Sequence, residues 1–120
     1  MTDIGKTTTI KGESGAEYKF KLYTFDSFTE IEHYWTSVIP AVYLFTKRSP
    51  SNGAYYHSYL YVGETDDLSS HFIAFSKQLE IMLHQANCIG IYTLAGVAVK
   101  EERVRILHDI LEARRFPCNG

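Results

Sequence analysis

Residues 41–68 read AVYLFTKRSPSNGAYYHSYLYVGETDDL and contain two strand patterns separated by turn residues. The first pattern, 41–46, is rich in β-branched and aromatic residues, which favour strands. The stretch 47–53 contains Ser-Pro-Ser-Asn-Gly, a composition typical of a turn. A second strand is predicted over 58–62. Two strands joined by a short polar loop predict a β-hairpin.

Upstream of this hairpin, residues 7–25 alternate in short apolar bursts around a glycine-bearing turn, KGESG. Aromatic and aliphatic residues after that turn predict a strand. Asp26 or Ser27 can cap a short helix that ends by Pro40. We interpret 1–40 as an N-terminal extension packed on the same domain as the rest of the chain.

Downstream of the hairpin, the sequence predicts one amphipathic helix. Thr65 or Asp66 is a suitable N-cap, and the helix ends near Asn87. Apolar residues at intervals of three and four form a single stripe, as on the core-facing side of a helix. The members of this stripe are Leu68, Phe72, Phe75, Leu79 and Leu83.

The last third of the chain predicts a third core strand and a second amphipathic helix. The strand covers 89–99, with Gly90 and Gly96 as candidate bulge points. The helix covers 101–115 and stops at Pro117. The order of these elements predicts an α+β fold with a small, mostly antiparallel sheet and flanking helices. The apolar stripe of the second helix consists of Val104, Leu107 and Leu111.

Length and composition predict one folded domain. The chain has 120 residues, of which 45% are hydrophobic and 22% charged. A chain of this size can form one core without disulfides or a structural metal. No run approaches the roughly 18 apolar residues of a membrane helix, so we expect no membrane partner. The formal net charge of −2 disfavours a strongly basic nucleic-acid-binding protein.

The two cysteines, Cys88 and Cys118, are too few for a disulfide scaffold and lack the spacing of a zinc site. We interpret them as reduced thiols of a cytoplasmic protein.

The motifs of the hairpin and of the C-terminal tail together resemble the GIY-YIG nuclease family. The first hairpin strand carries Ala41-Val42-Tyr43, and the second carries Tyr61-Val62-Gly63 followed by Glu-Thr-Asp-Asp-Leu. Pro117-Cys118-Asn119 follows the last helix. The resemblance covers 41–119 and implies a GIY-YIG-like domain after the N-terminal extension.

The resemblance implies chemistry that cuts phosphodiester bonds with one divalent metal ion. In that family two motif tyrosines lie together, a helix arginine offsets phosphate charge, and a glutamate on a later helix holds the metal. Each part suits the reaction, because a metal stabilises charge developing on phosphate oxygens. Ions such as Mg²⁺ prefer carboxylate oxygen, and guanidinium makes bidentate contacts to phosphate.

Transferred position by position, the resemblance implies a degenerate active site. Tyr43 and Tyr61 match the two catalytic tyrosines, Gly63 matches the motif glycine, and Asn119 matches the terminal asparagine. The position of the arginine is occupied by His71, which is mostly neutral above its reference pKa of about 6.5.

The position of the metal-binding glutamate is occupied by Leu107, which has no lone pair and cannot hold a metal ion. Residues three or four positions away on the same helix face are not carboxylates. An alignment slip of two residues would make Asp109 the ligand, and Glu64 is another alternative. A further family position, often a histidine, is Phe75.

Several of these residues also fit ordinary structural roles. Tyr43 suits a strand, His71 suits a hydrogen-bonded place at the edge of the core, and Asn119 suits a cap or turn. Glu64 lies just before a predicted helix, where acidic residues interact with the helix dipole. A cluster of tyrosines could stack bases or form a protein-binding surface, and its members are Tyr55, Tyr56, Tyr59 and Tyr61.

We therefore expect a nuclease-inactive domain that acts by binding, either weakly to DNA or RNA or to a protein partner. No cofactor is expected for that role. The alternatives are an active Mg²⁺-dependent endonuclease and a purely structural or protein-interaction domain. The candidate nucleic-acid-binding residues are Gly63, Asn119, Lys47, Arg48 and Arg103.

Overall fold

The computed structural model describes residues 1–93 and 97–120, which form five strands and four helices. The strands are β1 (Thr2–Lys11), β2 (Glu17–Thr24), β3 (Ala41–Ser51), β4 (Ala54–Thr65) and β5 (Cys88–Tyr92). The helices are α1 (Phe28–Glu32), α2 (Leu68–His71), α3 (Gln78–Leu83) and α4 (Lys100–Ala113). Within the described ranges, none of the helices is long and apolar enough to cross a membrane.

One sheet contains all five strands in the order β1-β2-β5-β3-β4, and the pairings between them are antiparallel. β5 lies between β2 and β3, so it joins the N-terminal strands to the hairpin. The predicted α+β fold with a small antiparallel sheet and helices is confirmed at this level. The closer likeness to the GIY-YIG fold stays a prediction.

The sheet has an apolar core on each face, because successive strand residues point to opposite sides. Tyr43 and Phe45 of β3 belong to a cluster that includes residues of α1, α2 and α3. Val42 and Leu44 belong to a second cluster, with residues of β1, β2 and α4. Three short helices therefore cover one face, and α4 covers the other.

A β-bulge at Leu60 directs two tyrosines of β4 to different faces. Phe45 pairs with Tyr61 and Thr46 pairs with Tyr59, so Leu60 is the extra residue. Tyr61 packs against the core beneath the short helices, whereas Tyr59 packs against the core beneath α4. Without the extra residue, both rings would lie on the same face.

The predicted hairpin is confirmed, with longer strands and a shorter turn than expected. The ladder continues to the pair formed by Ser51 and Ala54, which leaves Asn52 and Gly53 as the turn. Their φ angles are +48° and +80°, and a type I′ turn requires positive φ at both positions. Most of the stretch 47–53 is therefore strand, because the Asn-Gly pair alone reverses the chain.

The single helix predicted to run from Thr65 or Asp66 to about Asn87 is wrong, because α2 and α3 are separate. Ala74 lies between them with φ of +54°, a left-handed conformation that an α-helix does not contain. Leu79 and Leu83, expected in the apolar stripe, are 73% and 72% exposed.

The helix starts differ from their predicted caps in detail. Asp67, not Thr65 or Asp66, caps α2, and its carboxylate accepts a hydrogen bond of 2.9 Å from the Ser69 N–H. Ser27 occupies the N-cap position of α1 as predicted, although its side chain makes no capping hydrogen bond.

The C-terminal helix is confirmed as α4, but its buried stripe lies one residue earlier than expected. The buried residues are Arg103, Ile106 and Ile110, while Leu107 and Leu111 are partly buried at the margin.

The strand predicted over 89–99 ends at Tyr92. Gly90 pairs in register with Leu22 and Leu44, so it forms no bulge. Gly96 lies outside the described residues.

The predicted N-terminal extension, 1–40, supplies β1, β2 and α1. The carboxylate of Asp109 in α4 accepts hydrogen bonds from the Ser14 N–H at 2.8 Å and the Ser14 hydroxyl at 2.7 Å. It also accepts one of 2.6 Å from the Tyr18 hydroxyl. These contacts attach the β1–β2 turn to α4.

Candidate functional site

A cleft of about 480 Å³ lies between the β3–β4 hairpin, the segment after α2, and α4. We call it the tyrosine cleft. The structure brings together here all three predicted catalytic residues and the position predicted for the metal ligand. The cleft is lined by Tyr43, Tyr61, His71, Phe75, Leu107, Asn119 and their neighbours.

Tyr43 and His71 form the hydrogen-bonded floor of the cleft. The Tyr43 Oη and His71 Nε2 atoms are 2.7 Å apart, and Tyr43 is only 1% exposed. β3 fixes the tyrosine, and the single turn of α2 places the histidine above it. The pair is therefore a hydrogen-bonding unit with restricted access to solvent.

Both members of this pair are neutral at pH 7. Burial, together with Tyr61 and the charge of Glu64, raises the pKa of Tyr43 far above its usual range. Burial lowers the pKa of His71, although the acidic side chains of Glu64 and Asp66 oppose this effect. His71 thus does not supply the positive charge that an arginine would offer to a phosphate.

The carboxylate of Glu64 at the side of the cleft is paired with a buried guanidinium. Arg103 Nε lies 3.0 Å from Glu64 Oε2, and the Arg103 side chain is only 3% exposed. Arg103 Nη1 also donates 2.7 Å and 3.2 Å hydrogen bonds to the carbonyl oxygens of Val97 and Ala98. This geometry gives Arg103 an internal role and does not favour its predicted contact with nucleic acid.

The cleft offers little to a metal ion. Leu107 lines it at the predicted ligand position, and Asp109 instead binds the β1–β2 turn. Glu64 is the one alternative ligand that lies at the cleft, where Arg103 already balances its charge. Within 1–93 and 97–120, no group of three or more His, Cys, Asp or Glu side chains could hold a metal.

Gly63 and Asn119 lie at the cleft but have structural partners. A Cβ atom on Gly63 would lie 2.5 Å from Tyr43 Oη and 2.7 Å from its Cζ, so the ring rests on the glycine. The Asn119 amide accepts from the Val62 N–H at 2.9 Å and donates to the Val62 carbonyl at 2.8 Å. The Asn119 side chain thus extends the outer edge of β4, while its backbone N–H donates to the Phe116 carbonyl at 3.1 Å and closes a turn.

Lys47 and Arg48 lie in the outer half of the hairpin and do not line the tyrosine cleft. The Lys47 ammonium donates to Gln85 Oε1 at 2.6 Å. The Arg48 guanidinium lies 3.5 Å above the centroid of the Tyr55 ring. These two predicted basic residues therefore lie away from the predicted catalytic ones, whereas Arg103 lines a smaller pocket together with His71 and Glu64.

The predicted tyrosine cluster is divided among different surroundings. Tyr55 and Tyr56 are 56% and 53% exposed near the turn of the hairpin. Tyr59 donates to or accepts from the Thr8 hydroxyl at 2.5 Å, and only Tyr61 lines the cleft. The cluster is not one continuous surface.

The pairing of Glu64 with Arg103 is the feature of the site that sequence reasoning missed. The two residues are 39 positions apart, and no motif links them. The only signal was an arginine one turn before Leu107, at a position that the pattern assigned to the polar side of the helix.

Comparisons with family models, with curated proteins and with solved structures find no match to this chain.

Proposed function

We propose that this chain is a GIY-YIG-like domain that binds a single strand of DNA or RNA in the tyrosine cleft without hydrolysing it. The observation that carries this proposal is the combination of aromatic rings and neutralised charges in one cleft. Leu107 lies where a metal ligand is expected, and Glu64 is already paired with Arg103.

Aromatic side chains of the cleft support stacking of a base. Tyr61 and Phe75 both line it, with ring centroids 5.9 Å apart and planes at 75° to each other. Every nucleic-acid base has a π face, so such rings bind single strands with little sequence preference. The Tyr43 and His71 pair below closes the floor of the cleft without adding a charge.

The electrostatics support binding without cleavage. Hydrolysis is promoted by positive charge at the phosphate, such as that of a metal ion or a guanidinium. His71 is neutral because of its lowered pKa, and Arg103 is directed at Glu64 and at backbone carbonyls. With a net charge of −2, we expect weak binding with a shallow salt dependence, since few phosphates are neutralised.

A gel assay with labelled single- and double-stranded DNA and RNA at low salt tests this proposal. Each strand is incubated with Mg²⁺, with Mn²⁺ or with chelator, so that retardation and cleavage are seen together. We expect retardation of single strands and intact substrate in every lane. Tyr61→Ala should weaken binding by about tenfold, the usual scale for loss of one stacked base.

Tyr56→Ala is the matched control, because Tyr56 lies on the same strand, is 53% exposed and does not line the cleft. An equal loss in both variants would place binding outside the cleft. Cleavage that chelator stops would instead make the protein an active nuclease, with Glu64 as the first ligand to test. Absence of both retardation and cleavage would favour a protein partner.

A further inference from the structure

A second and larger cavity, of about 600 Å³, lies at the outer half of the β3–β4 hairpin. We call it the hairpin cavity. One wall comes from β1 and β2, with Lys6, Thr8 and Leu22, and the other comes from β3 and β4, with Arg48, Tyr55 and His57. None of these residues lines the tyrosine cleft.

The cavity exists because the two outer strands of the sheet approach each other. β1 and β4 are at opposite ends of the strand order, yet the Thr8 and Tyr59 hydroxyl oxygens are 2.5 Å apart. The sheet must therefore curl, and the partly open space lies between its strands. Cavities of roughly 300–1,000 Å³ are the usual size for small-molecule sites.

The described lining of this cavity contains two basic residues and no acidic one. Lys6 and Arg48 both line it, and none of the described lining residues is acidic. The nearby Asp3 is engaged elsewhere, because its carboxylate binds Lys21 at 3.0 Å and the Gly5 N–H at 2.9 Å.

Arg48 is held in a fixed position. Its backbone N–H donates to Asn87 Oδ1 at 2.6 Å, and its carbonyl accepts from Asn87 Nδ2 at 3.0 Å. Its guanidinium lies 3.5 Å above the Tyr55 ring, which favours one planar orientation. A preorganised guanidinium is well suited to bidentate recognition of phosphate.

His57 adds a further polar group next to Arg48. The two residues are directly opposite each other in the ladder, and His57 Nδ1 lies 2.8 Å from Thr46 Oγ1. Burial and the positive charge of Arg48 lower the pKa of His57. The charge of Arg48 therefore acts on this part of the cavity.

We propose that the hairpin cavity binds a phosphate group carried by a small molecule. Arg48 and Lys6 neutralise the phosphate, and the Thr8 hydroxyl hydrogen-bonds it. Tyr55 and Leu22 contact the apolar part of the ligand. This site is independent of the tyrosine cleft and does not require that the domain bind nucleic acid there.

Phenyl phosphate is a suitable probe, because it joins a phosphate to a flat apolar ring. Its titration into isotope-labelled protein, followed by NMR, should give saturable shifts at Lys6, Thr8 and His57. Contacts between phenyl protons and the Tyr55 or His57 ring should appear as intermolecular NOEs. These measurements use the wild-type chain and do not depend on whether a variant folds.

The variant Lys6→Ala/Arg48→Ala should weaken phenyl phosphate binding by about tenfold or more, since two charge-assisted contacts are lost. The matched control is Lys11→Ala/Lys19→Ala, which removes the same charge from exposed positions of β1 and β2. This control should bind within about twofold of wild type, because neither lysine lines the cavity.

Three results would overturn the proposal. One is absence of saturable binding by phenyl phosphate. Another is an equal loss of affinity in the cavity variant and the control variant, which would indicate general charge attraction. The third concerns an oligothymidylate in the same titration. If it shifts the NMR signals of the same residues and its affinity per phosphate is higher than that of phenyl phosphate, the cavity binds a nucleic-acid backbone.

Discussion

Tyr43 and Gly63 face each other across the β3–β4 ladder, and their contact fixes the floor of the tyrosine cleft. A Cβ at Gly63 would lie 2.5 Å from Tyr43 Oη, well inside any acceptable contact. The glycine is therefore needed for the tyrosine ring to lie beneath His71.

Gly63→Ala should lower the free energy of unfolding by about 1–3 kcal/mol, because the buried ring must move to accept the methyl group. Urea denaturation measures this change. Gly120→Ala is the control, since nothing lies within 4 Å of a Cβ there, and it should change stability by less than about 0.5 kcal/mol. Equal stability of the two variants would contradict the close packing of the Tyr43 ring against Gly63.

His71 should make stability depend on pH near neutrality. Its folded-state pKa is below the ordinary value of 6.5 because of burial, so the unfolded chain binds a proton more readily. The contribution of neutral His71 to the free energy of unfolding is therefore fully present above about pH 7. It decreases as the pH drops through about 6.5 towards the folded-state pKa. The loss should be modest, because solvent screens the half-buried ring.

Urea unfolding between about pH 5 and pH 8 tests this, with His71→Gln expected to flatten part of the profile. Asp67 and Asp109 act in a different range, since hydrogen bonds lower their pKa values below 3.8 and their contribution is lost only in stronger acid. His57 has a lowered pKa for similar reasons, so His71→Gln should leave a remaining slope. A His71→Gln profile parallel to wild type would contradict the assignment.

Among the elements, strands were easier to predict from the sequence than helices. The strand patterns and the Asn-Gly pair use local chemistry, so the β3–β4 hairpin was found. The break between α2 and α3 was not, because no glycine or proline marks it, although Ala74 adopts a positive φ.

The rotation of α4 explains why part of the site was missed. Arg103 is charged, and so the apparent apolar stripe was placed on Val104 and Leu107. In the fold Arg103 is 2% exposed and Ile106 is 3% exposed, because the guanidinium finds Glu64 and two carbonyls inside. A sequence pattern contains no information about a buried partner so far along the chain.

Two asparagines complete strand edges where no backbone partner is available. Asn119 binds the N–H and carbonyl of Val62 on β4, and Asn87 binds the same two groups of Arg48 on β3. Both side chains therefore act as substitutes for a neighbouring strand residue.

Asn119→Ala should speed amide hydrogen exchange at Val62, and Asn87→Ala should do so at Arg48. Each change should cost about 1–2 kcal/mol, because two hydrogen bonds to the backbone are lost. Hydrogen exchange followed by NMR distinguishes the two sites, and each variant is the control for the other. Uniform acceleration throughout the sheet in either variant would indicate global destabilisation and would contradict a local edge role.

At the level of the whole molecule, residues 1–40 contribute to both cores of the sheet. Phe25, Phe28 and Ile31 belong to the core beneath the short helices. Ile10, Tyr18 and Phe20 belong to the core beneath α4. β2 also pairs with β5 over four residue pairs, from Lys21–Ile91 to Thr24–Cys88.

A fragment of residues 41–120 should therefore fail to fold cooperatively. It would leave one edge of β5 unpaired and expose the surfaces that bury Phe20 and Phe28, both at most 4% exposed in the whole chain. Exposure of several large apolar side chains costs about 1.5–3 kcal/mol for each one, which approaches the total stability of a small domain. Circular dichroism and NMR spectra of the fragment measure the outcome.

The control is the full chain cut at a protease site introduced beside Val38, which is 73% exposed and lies outside the helices and strands. The two pieces should stay associated and keep the native spectrum, because the contacts between them do not depend on that peptide bond. A dispersed spectrum and a cooperative transition from 41–120 alone would show that the hairpin, β5 and α4 form a sufficient unit. In that case the cleft could be studied without the N-terminal strands, whereas the hairpin cavity, which needs Lys6 and Thr8, could not.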